Sequence, residues 1–219
     1  MLEERTIPGL HAALLPVVGG LGLAPHDRIL DVACGTGAWL VSLHRAGYRD
    51  LWGTDRDVGS FAAGALARFI PGDLDARISL PTDCALVTMI EIIEHVANPY
   101  RLVASAANAL RRGGWILITS PNIYSLRARM RFALRARLPG FERSRAPIEE
   151  DHLHPIVIEA YRRKIFDALN LKVERIWTVP AASASQGSRL FVRAAARTLR
   201  LVMRDDLPGE TLCLLLRKP

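Results

Sequence analysis

From about residue 28 onward, apolar segments of strand length alternate with amphipathic segments of helix length. This alternation predicts an α/β fold in which a mostly parallel sheet carries helices on both faces. The predicted strands are residues 28–33, 51–54, 69–73, 85–90, 115–119, 171–179 and 211–216. The predicted helices are residues 38–48, 60–69, 100–110, 155–169 and 190–203.

The length of the chain, 219 residues, fits one domain with a substantial core. Residues 1–24 are predicted to form a short N-terminal helical element, residues 25–219 the main domain, and residues 123–150 a basic insertion in it. No apolar run of about eighteen residues occurs that would predict a membrane-spanning helix, and two acids precede the N-terminal apolar stretch where a signal peptide carries positive charge. The three cysteines are widely spaced, which predicts free thiols. Together these features favour a cytoplasmic location.

The chain is basic, with a formal net charge of +7 and a computed isoelectric point of about 9.9. A basic surface fits an acidic partner such as a phosphate-bearing substrate, a nucleic acid or an anionic lipid. A genome-wide preference for arginine accounts for the charge equally well, because Lys164, Lys172 and Lys218 are the only lysines.

The strongest local signal is ILDVACGTGAWL at residues 29–40, followed by GTDRD at residues 53–57. A strand that enters a glycine turn and then a helix presents backbone N–H groups to a ligand. Asp55 follows at the spacing at which an acid meets ribose hydroxyls, so a nucleoside-bearing cofactor is expected. Leu40 breaks the dinucleotide fingerprint, and Asp31 suits an ammonium group better than a pyrophosphate. S-adenosylmethionine, with its ammonium, carboxylate and ribose, explains these features together.

Four motifs in order, DVACGTG, GTDRD, TMIEIIEHVANPYRL and LITSPN, resemble the class I S-adenosylmethionine-dependent methyltransferases, in particular the ubiquinone-type and type 11/23 groups. The resemblance implies a Rossmann-like seven-stranded sheet whose last strand is antiparallel. It also implies which residues contact the cofactor. In chain order these contacts are to the methionine part, the ribose, the adenine and the sulfonium of S-adenosylmethionine. The residues predicted for these contacts are Asp31, Ala33, Gly35, Gly37, Asp55, Arg56, Asp73, Leu74, Met89, Ile90 and Glu91. Ala33 replaces the first motif glycine, and Ala85 stands where an aspartate often begins the fourth strand.

A second constellation, Glu91, Glu94 and His95, lies at the predicted exit of the fourth strand. Strand ends on this side of an α/β sheet border the ligand crevice. As metal ligands, the three residues would suit Mg²⁺ or Mn²⁺, as the resemblance implies for ubiquinone-type and small-RNA enzymes. Alternatively His95 or Glu94 is a general base, or Glu94 caps the next helix and His95 packs under it. His152 and His154 loosely resemble the place where the small-RNA enzymes supply a further histidine ligand, although a surface loop also accounts for this HxH pair. His154 is in addition a candidate for the substrate site.

The basic stretch at residues 125–145 carries Arg127, Arg131 and Arg135 at helical spacing. We expect an amphipathic helix that covers the substrate; peripheral contact with an anionic membrane and a solvated flap are the alternatives. Nucleic acid is the least favoured partner, because few aromatic residues accompany the arginines. The expected reaction is O-methylation of a small or lipid-linked metabolite, and this acceptor can be anionic. The alternatives are a metal-dependent RNA 3′-terminal 2′-O-methyltransferase and a catalytically silent, partner-binding subunit.

Overall fold

The computed structural model describes residues 2–76, 78–141, 152–180 and 206–219. Its strands are β1 Ile29–Val32, β2 Leu51–Asp55, β3 Arg68–Pro71, β4 Cys84–Met89, β5 Leu110–Pro121, β6 Lys172–Val179 and β7 Thr211–Arg217. Its helices are α1 Leu10–Gly19, α2 Ala38–Arg45, α3 Pro99–Ala109, α4 Leu126–Arg135 and α5 Ile158–Tyr161. After α5 the chain continues through a π turn, Arg162–Phe166, and a 3₁₀ turn, Asp167–Leu169.

The seven strands form one sheet in the order β3-β2-β1-β4-β5-β7-β6. The pairs among β1 to β5 are parallel, whereas β7 runs antiparallel to both β5 and β6. The predicted α/β class, with a mostly parallel seven-stranded sheet and an antiparallel last strand, is confirmed. Strand order reverses direction between β1 and β4, and in such sheets the crevice at this switch point is where ligands bind.

The two faces of the sheet carry separate parts of the hydrophobic core, because successive side chains of a strand point to opposite faces. On one face Leu10 and Leu14 of α1 pack with Leu40 and Leu43 of α2. On the other face residues of α3 pack with Phe166 of the π turn. Every residue of β1 and β4 is buried, as expected for central parallel strands covered on both sides. Within the described ranges no helix is long and apolar enough to cross a membrane.

The predicted helix at residues 60–69 is wrong, because the chain forms only a short turn here before β3 begins at Arg68. The amides of Leu66 and Ala67 both donate to the carbonyl of Ala63, which makes one turn and does not continue. Phe61 stacks on Phe69 with ring centroids 4.5 Å apart, so aromatic packing holds the segment in place of helical hydrogen bonds. The weak third strand exists, but it is shifted to residues 68–71.

Other predicted boundaries moved without changing the topology. β5 extends over Leu110–Pro121, because the glycines at residues 113 and 114 bend the strand and do not end it; Gly113 has a φ of 74°. The helix expected at 155–169 begins at Ile158 and ends at Asn170, which has a φ of 53°. The arginine-rich helix predicted at 190–203 lies outside the described residues. The division between residues 24 and 25 stays a prediction, with α1 lying inside the predicted N-terminal element.

Candidate active site

A cavity of about 900 Å³ opens at the carboxyl ends of β1, β2, β3 and β4. Most of the residues predicted to contact a cofactor line it: Asp31, Ala33, Gly35, Asp55, Arg56, Asp73, Leu74, Ile90 and Glu91. Two predicted contacts, Gly37 and Met89, do not line it. Met89 is fully buried in β4. Gly37 begins α2 with a φ of 82°, and a Cβ there would come within 2.6 Å of the Ala63 Cβ, so this glycine serves the turn itself.

The turn between β1 and α2 is held by Asp55, which the sequence places on the neighbouring strand. The Gly35 amide donates to Asp55 Oδ2 at 2.8 Å, and the Asp57 amide donates to Oδ1 at 2.9 Å. Ala33 and Gly35 both adopt positive φ, 60° and 50°. A positive φ at a non-glycine residue is strained and is often found at functional sites. An ionised carboxylate has room for about four hydrogen bonds, so Asp55 can also accept from a ribose.

Asp31 is a buried carboxyl at the floor of the cavity, with 3% of its surface exposed. Burial is the main cause that raises its pKa to about 7; the hydrogen bond from Thr88 opposes the shift, and the Asp55 carboxylate adds to it. The Thr88 hydroxyl donates to Asp31 Oδ1 at 2.6 Å. A bound ammonium group would favour the charged form of Asp31. Cys34 also lines the cavity, but burial raises the pKa of its thiol far above the usual range, so it is not a nucleophile.

Glu91 follows β4 at the wall of the cavity with a φ of 51°. Its amide donates to Thr119 Oγ1 at 3.0 Å, and the same hydroxyl donates to Glu91 Oε1 at 2.9 Å. Burial raises the pKa of Glu91 to about 7, although the bond from Thr119 opposes the shift. Thr119 lies in β5, 28 residues along the chain from Glu91, and no local sequence pattern predicts this contact.

Glu94, His95 and His152 bring one potential ligand atom each to within 4.8 Å of one another. The Glu94 carbonyl accepts from the amides of Leu153 and His154, at 2.7 and 3.1 Å, which holds the 152–154 segment against the end of β4. His95 and His152 meet edge to face, with ring centroids 4.6 Å apart. Of the three, only His95 lines the cavity. Glu91, expected in the metal set, is not in this group, and its carboxylate bonds with Thr119.

The Glu94 carboxyl is fully buried, and burial together with Glu91 raises its pKa to about 8. Its oxygens accept no hydrogen bond from the described residues, although the Ser120 hydroxyl lies near enough to favour the charged form. A buried carboxyl without such a bond is costly, and a cation would compensate it. One carboxylate and two imidazoles fit a divalent transition metal such as Mn²⁺ better than Mg²⁺, which prefers oxygen ligands.

The N-terminal segment, residues 2–9, also lines the cavity, and we call it the N-terminal strap. The sequence did not predict this contact. Thr36 Oγ1 donates to the carbonyl of Glu3 at 2.8 Å, and Arg5 lies 3.7 Å from the Asp57 carboxylate. Arg5 and His11 line the cavity. The His11 ring lies 5.2 Å from Trp39, and burial lowers its pKa while nearby Glu4 opposes the shift. His11 belongs to no recognisable sequence motif, so its place at the cavity follows only from the packing of the folded chain.

The basic insertion forms α4, whose first turn is capped by the Ser125 hydroxyl accepting from the Ala128 amide at 3.2 Å. Ala128 is its only buried residue, whereas Phe132 and Leu134 are 53% and 75% exposed. Beyond α4, the Phe141 ring lies 5.2 Å from that of His152, so this part of the insertion lies beside the group formed by Glu94, His95 and His152, the Glu94 group. Residues 142–145 of the predicted basic stretch lie outside the described residues.

Residues 4–176 match a family model described as a methyltransferase domain. The chain belongs to this family. Ubiquinone biosynthesis O-methyltransferases are similar to it: that of Burkholderia pseudomallei is 29% identical over 138 residues, covering 55% of each chain. That of Paracidovorax citrulli is 30% identical over 130 residues, covering 55% of this chain and 54% of the relative. This methyltransferase chain thus spans about half the length of the curated relatives it matches.

Solved structures support the same fold. A SAM-dependent methyltransferase from Archaeoglobus fulgidus superposes with a TM-score of 0.64 at 19% identity, covering 95% of this chain and 93% of that one. The predicted membership of the class I S-adenosylmethionine-dependent methyltransferases is confirmed by the family match and this architecture. The individual contacts of the cofactor and the roles of Glu94, His95 and His154 stay predictions.

Proposed function

We propose that the protein transfers the methyl group of S-adenosylmethionine to a hydroxyl oxygen of a small or lipid-linked acceptor. The observation that carries this proposal is the arrangement of the cavity, with Asp31 at its floor, Asp55 at its side and Glu91 and His95 beyond them. These positions match an ammonium, a ribose and a reacting centre of one ligand. The names of the relatives, ubiquinone biosynthesis O-methyltransferases, support an oxygen acceptor.

In the proposed reaction the acceptor oxygen attacks the methyl carbon in line with the carbon–sulfur bond. The bonding electrons return to sulfur, which leaves S-adenosylhomocysteine, and the hydroxyl proton passes to a base. The sulfonium is already activated, so the protein contributes mainly by positioning. Asp31 would hold the ammonium group and Asp55 the ribose hydroxyls, with Asp73 and Leu74 beside the adenine.

The proton acceptor is best assigned to His95, because its imidazole lines the cavity and Glu94 does not. The raised pKa of Glu94 keeps much of this carboxyl protonated at neutral pH, which makes it a poor base in the metal-free protein. His154 is a weaker candidate than the sequence suggested. It does not line the cavity, and its described contact is through its backbone amide.

Metal-assisted transfer is the second candidate, favoured by the grouping of Glu94, His95 and His152. A divalent cation held there would act as a Lewis acid that lowers the pKa of the acceptor hydroxyl. In this case His95 would be a ligand, and Glu91, which lines the cavity and whose pKa burial raises to about 7, would be the candidate proton acceptor. The two candidates differ in whether methyl transfer requires metal.

A lipid-linked acceptor is supported by α4, which carries exposed Phe132 and Leu134 among arginines, a few residues before Phe141 contacts His152. An apolar face with basic neighbours is typical of peripheral contact with an anionic membrane surface. The RNA-modifying and silent-subunit alternatives gain no support from the comparisons. The cytoplasmic location stays a prediction.

The test is calorimetric titration of the protein with S-adenosylhomocysteine, with and without Mn²⁺, followed by methyl transfer assays. A panel of phenols, catechols, amines and RNA 3′ ends serves as acceptors. We expect cofactor-product binding in the micromolar range and turnover of hydroxyl acceptors. Turnover of only amines or RNA would refute the oxygen assignment, and an absence of binding would refute the cofactor site itself.

A further inference from the structure

A second cavity, of about 540 Å³, lies at the amino ends of β1, β2 and β3, on the edge of the sheet opposite the active site. We call it the basic pocket. Its lining consists of His26, Arg28, Arg49, Asp50, Leu51 and residues 64–68. The catalytic proposal uses none of these residues, and the family motifs do not include them.

The first part of the basic pocket is a stack of two arginines on one tryptophan. The guanidinium carbons of Arg28 and Arg68 lie 5.3 and 4.9 Å from the Trp52 ring centroid. Arg28 Nε donates to Asp50 Oδ2 at 3.0 Å, and its Nη1 donates to the carbonyl of Thr82 at 2.7 Å. These contacts fix the direction of the guanidinium groups, so ordering them on a ligand costs little entropy.

The second part is Arg49, whose Nη1 donates to the carbonyls of His44 and Tyr48 at 2.8 and 2.9 Å. Backbone carbonyls orient this guanidinium without neutralising it. Among the described residues no carboxylate pairs with Arg49 or Arg68.

Asp50 is the only acidic residue of the lining, and both of its oxygens are engaged. Oδ2 accepts from Arg28, and Oδ1 accepts from Trp52 Nε1 at 2.8 Å. The lining of this one cavity therefore carries three arginines and a single carboxylate. Planar guanidinium groups with unused N–H donors match the oxygens of a phosphate group.

We propose that the basic pocket binds a small anion that carries one or more phosphate groups. A concave site of this volume fits a phosphate or a short phosphate chain, whereas a nucleic acid would need an extended basic track. The Trp52 ring already carries the two arginines, so it does not offer its face to a base. This site is independent of methyl transfer, because the carboxyl ends of the strands carry the cofactor cavity.

The experiment is calorimetric titration with inorganic pyrophosphate at constant ionic strength, on the wild type, Arg49→Gln and Arg68→Gln. Lys172→Gln is the control, because it removes one positive charge from an exposed residue of β6. We expect each arginine variant to weaken binding about tenfold or more, as loss of a charge-assisted hydrogen bond implies, and the control to bind like the wild type. Equal losses in all three variants, or no binding by the wild type to either phosphate source, would overturn the proposal.

A second arm distinguishes a free anion from a phosphate on a lipid. Vesicles of phosphatidic acid in phosphatidylcholine are sedimented with the same proteins. Loss of sedimentation in Arg49→Gln and Arg68→Gln, without pyrophosphate binding by the wild type, assigns the pocket to a lipid phosphate. Titration with S-adenosylhomocysteine is run on every variant; unchanged affinity shows that the chain is folded and that the result does not depend on the proposed function.

Discussion

The two halves of the proposed active site, a cofactor half and an acceptor half, are built in different ways. The cofactor half consists mainly of backbone turns and buried strand ends within residues 29–55, where Asp55 fixes the Gly35 turn. Thr88 of the adjacent strand β4 holds Asp31. The acceptor half consists of side chains from distant segments, with His152 placed against Glu94 and His95 through hydrogen bonds from the following residues. The first half is preorganised by local structure, whereas the second depends on long-range packing and on the insertion around α4.

The largest expected effect follows from Asp55→Ala. The variant loses the acceptor for the Gly35 and Asp57 amides as well as the proposed ribose contacts. We expect affinity for S-adenosylhomocysteine to fall by about 100-fold or more, because two hydrogen bonds to a charged group contribute roughly 3–6 kcal/mol together. Calorimetric titration measures the change.

Asp57→Asn is the matched control, since Asp57 lies two residues away and its carboxylate is 49% exposed. We expect its affinity to stay within a few-fold of the wild type. If both variants lose the same affinity, the cofactor half is held by general negative charge, and the specific role of Asp55 is wrong.

The second prediction concerns the acceptor half alone. His152→Ala removes one of the three potential ligands. We expect Mn²⁺ affinity to fall at least about tenfold, comparable to losses seen when a metal site is disturbed, while affinity for S-adenosylhomocysteine without metal is unchanged. His26→Ala is the control, because His26 lies in the basic pocket. Equal Mn²⁺ affinity in wild type and His152→Ala would remove the metal alternative and leave His95 as the base.

The cofactor half could be predicted from the sequence because its residues are close along the chain. The motifs at residues 29–40 and 53–57 placed Asp31, Ala33, Gly35 and Asp55 at one cavity, and the α/β class followed from the alternation. The failed helix at residues 60–69 shows the limit of this approach. Helical spacing was present there, but packing of Phe61 against Phe69 and the early start of β3 determined the structure.

The acceptor half and the N-terminal strap could not be predicted with the same precision. The contact of His152 with His95 spans 57 residues, and that of His11 with Trp39 spans 28. No local pattern encodes such pairs, because they depend on how α1 and the insertion pack on the finished sheet. The sequence identified Glu94 and His95 as candidates but favoured Glu91 over His152 as their companion.

The third prediction is a pH dependence from Asp31, whose pKa burial raises to about 7. Binding of the cofactor ammonium requires the ionised form, so below pH 7 binding must also release a proton. We expect affinity for S-adenosylhomocysteine to fall about tenfold per pH unit from pH 7 to pH 5. Calorimetry in buffers of different ionisation enthalpy measures the released proton.

Asp31→Asn is the control for this dependence, and its stability gives an independent check. Because the pKa of Asp31 is higher in the folded state than its unfolded value of 3.8, folding favours the protonated form. This contribution to the free energy of unfolding is fully present below pH 3.8 and is lost as the pH rises through 7. The amide is neutral at every pH. At pH 8 the cofactor-free variant should therefore melt at a higher temperature than the wild type, although it binds S-adenosylhomocysteine weakly. A lower melting temperature at pH 8 would contradict the assignment.

The smallest expected effect belongs to α4, where Leu134 is 75% exposed. If this helix contacts an anionic membrane surface, Leu134→Ser removes roughly 1 kcal/mol of apolar burial and weakens vesicle binding about three- to tenfold. Val58→Ser is the control, because Val58 is 57% exposed in a different segment. Both variants should bind S-adenosylhomocysteine like the wild type, since neither side chain lines the cavity. An equal loss of vesicle binding in both would mean that exposed apolar residues act without regard to position. In that case vesicle binding would not identify α4 as a membrane contact, and covering the substrate would remain the role that the sequence predicts for this helix.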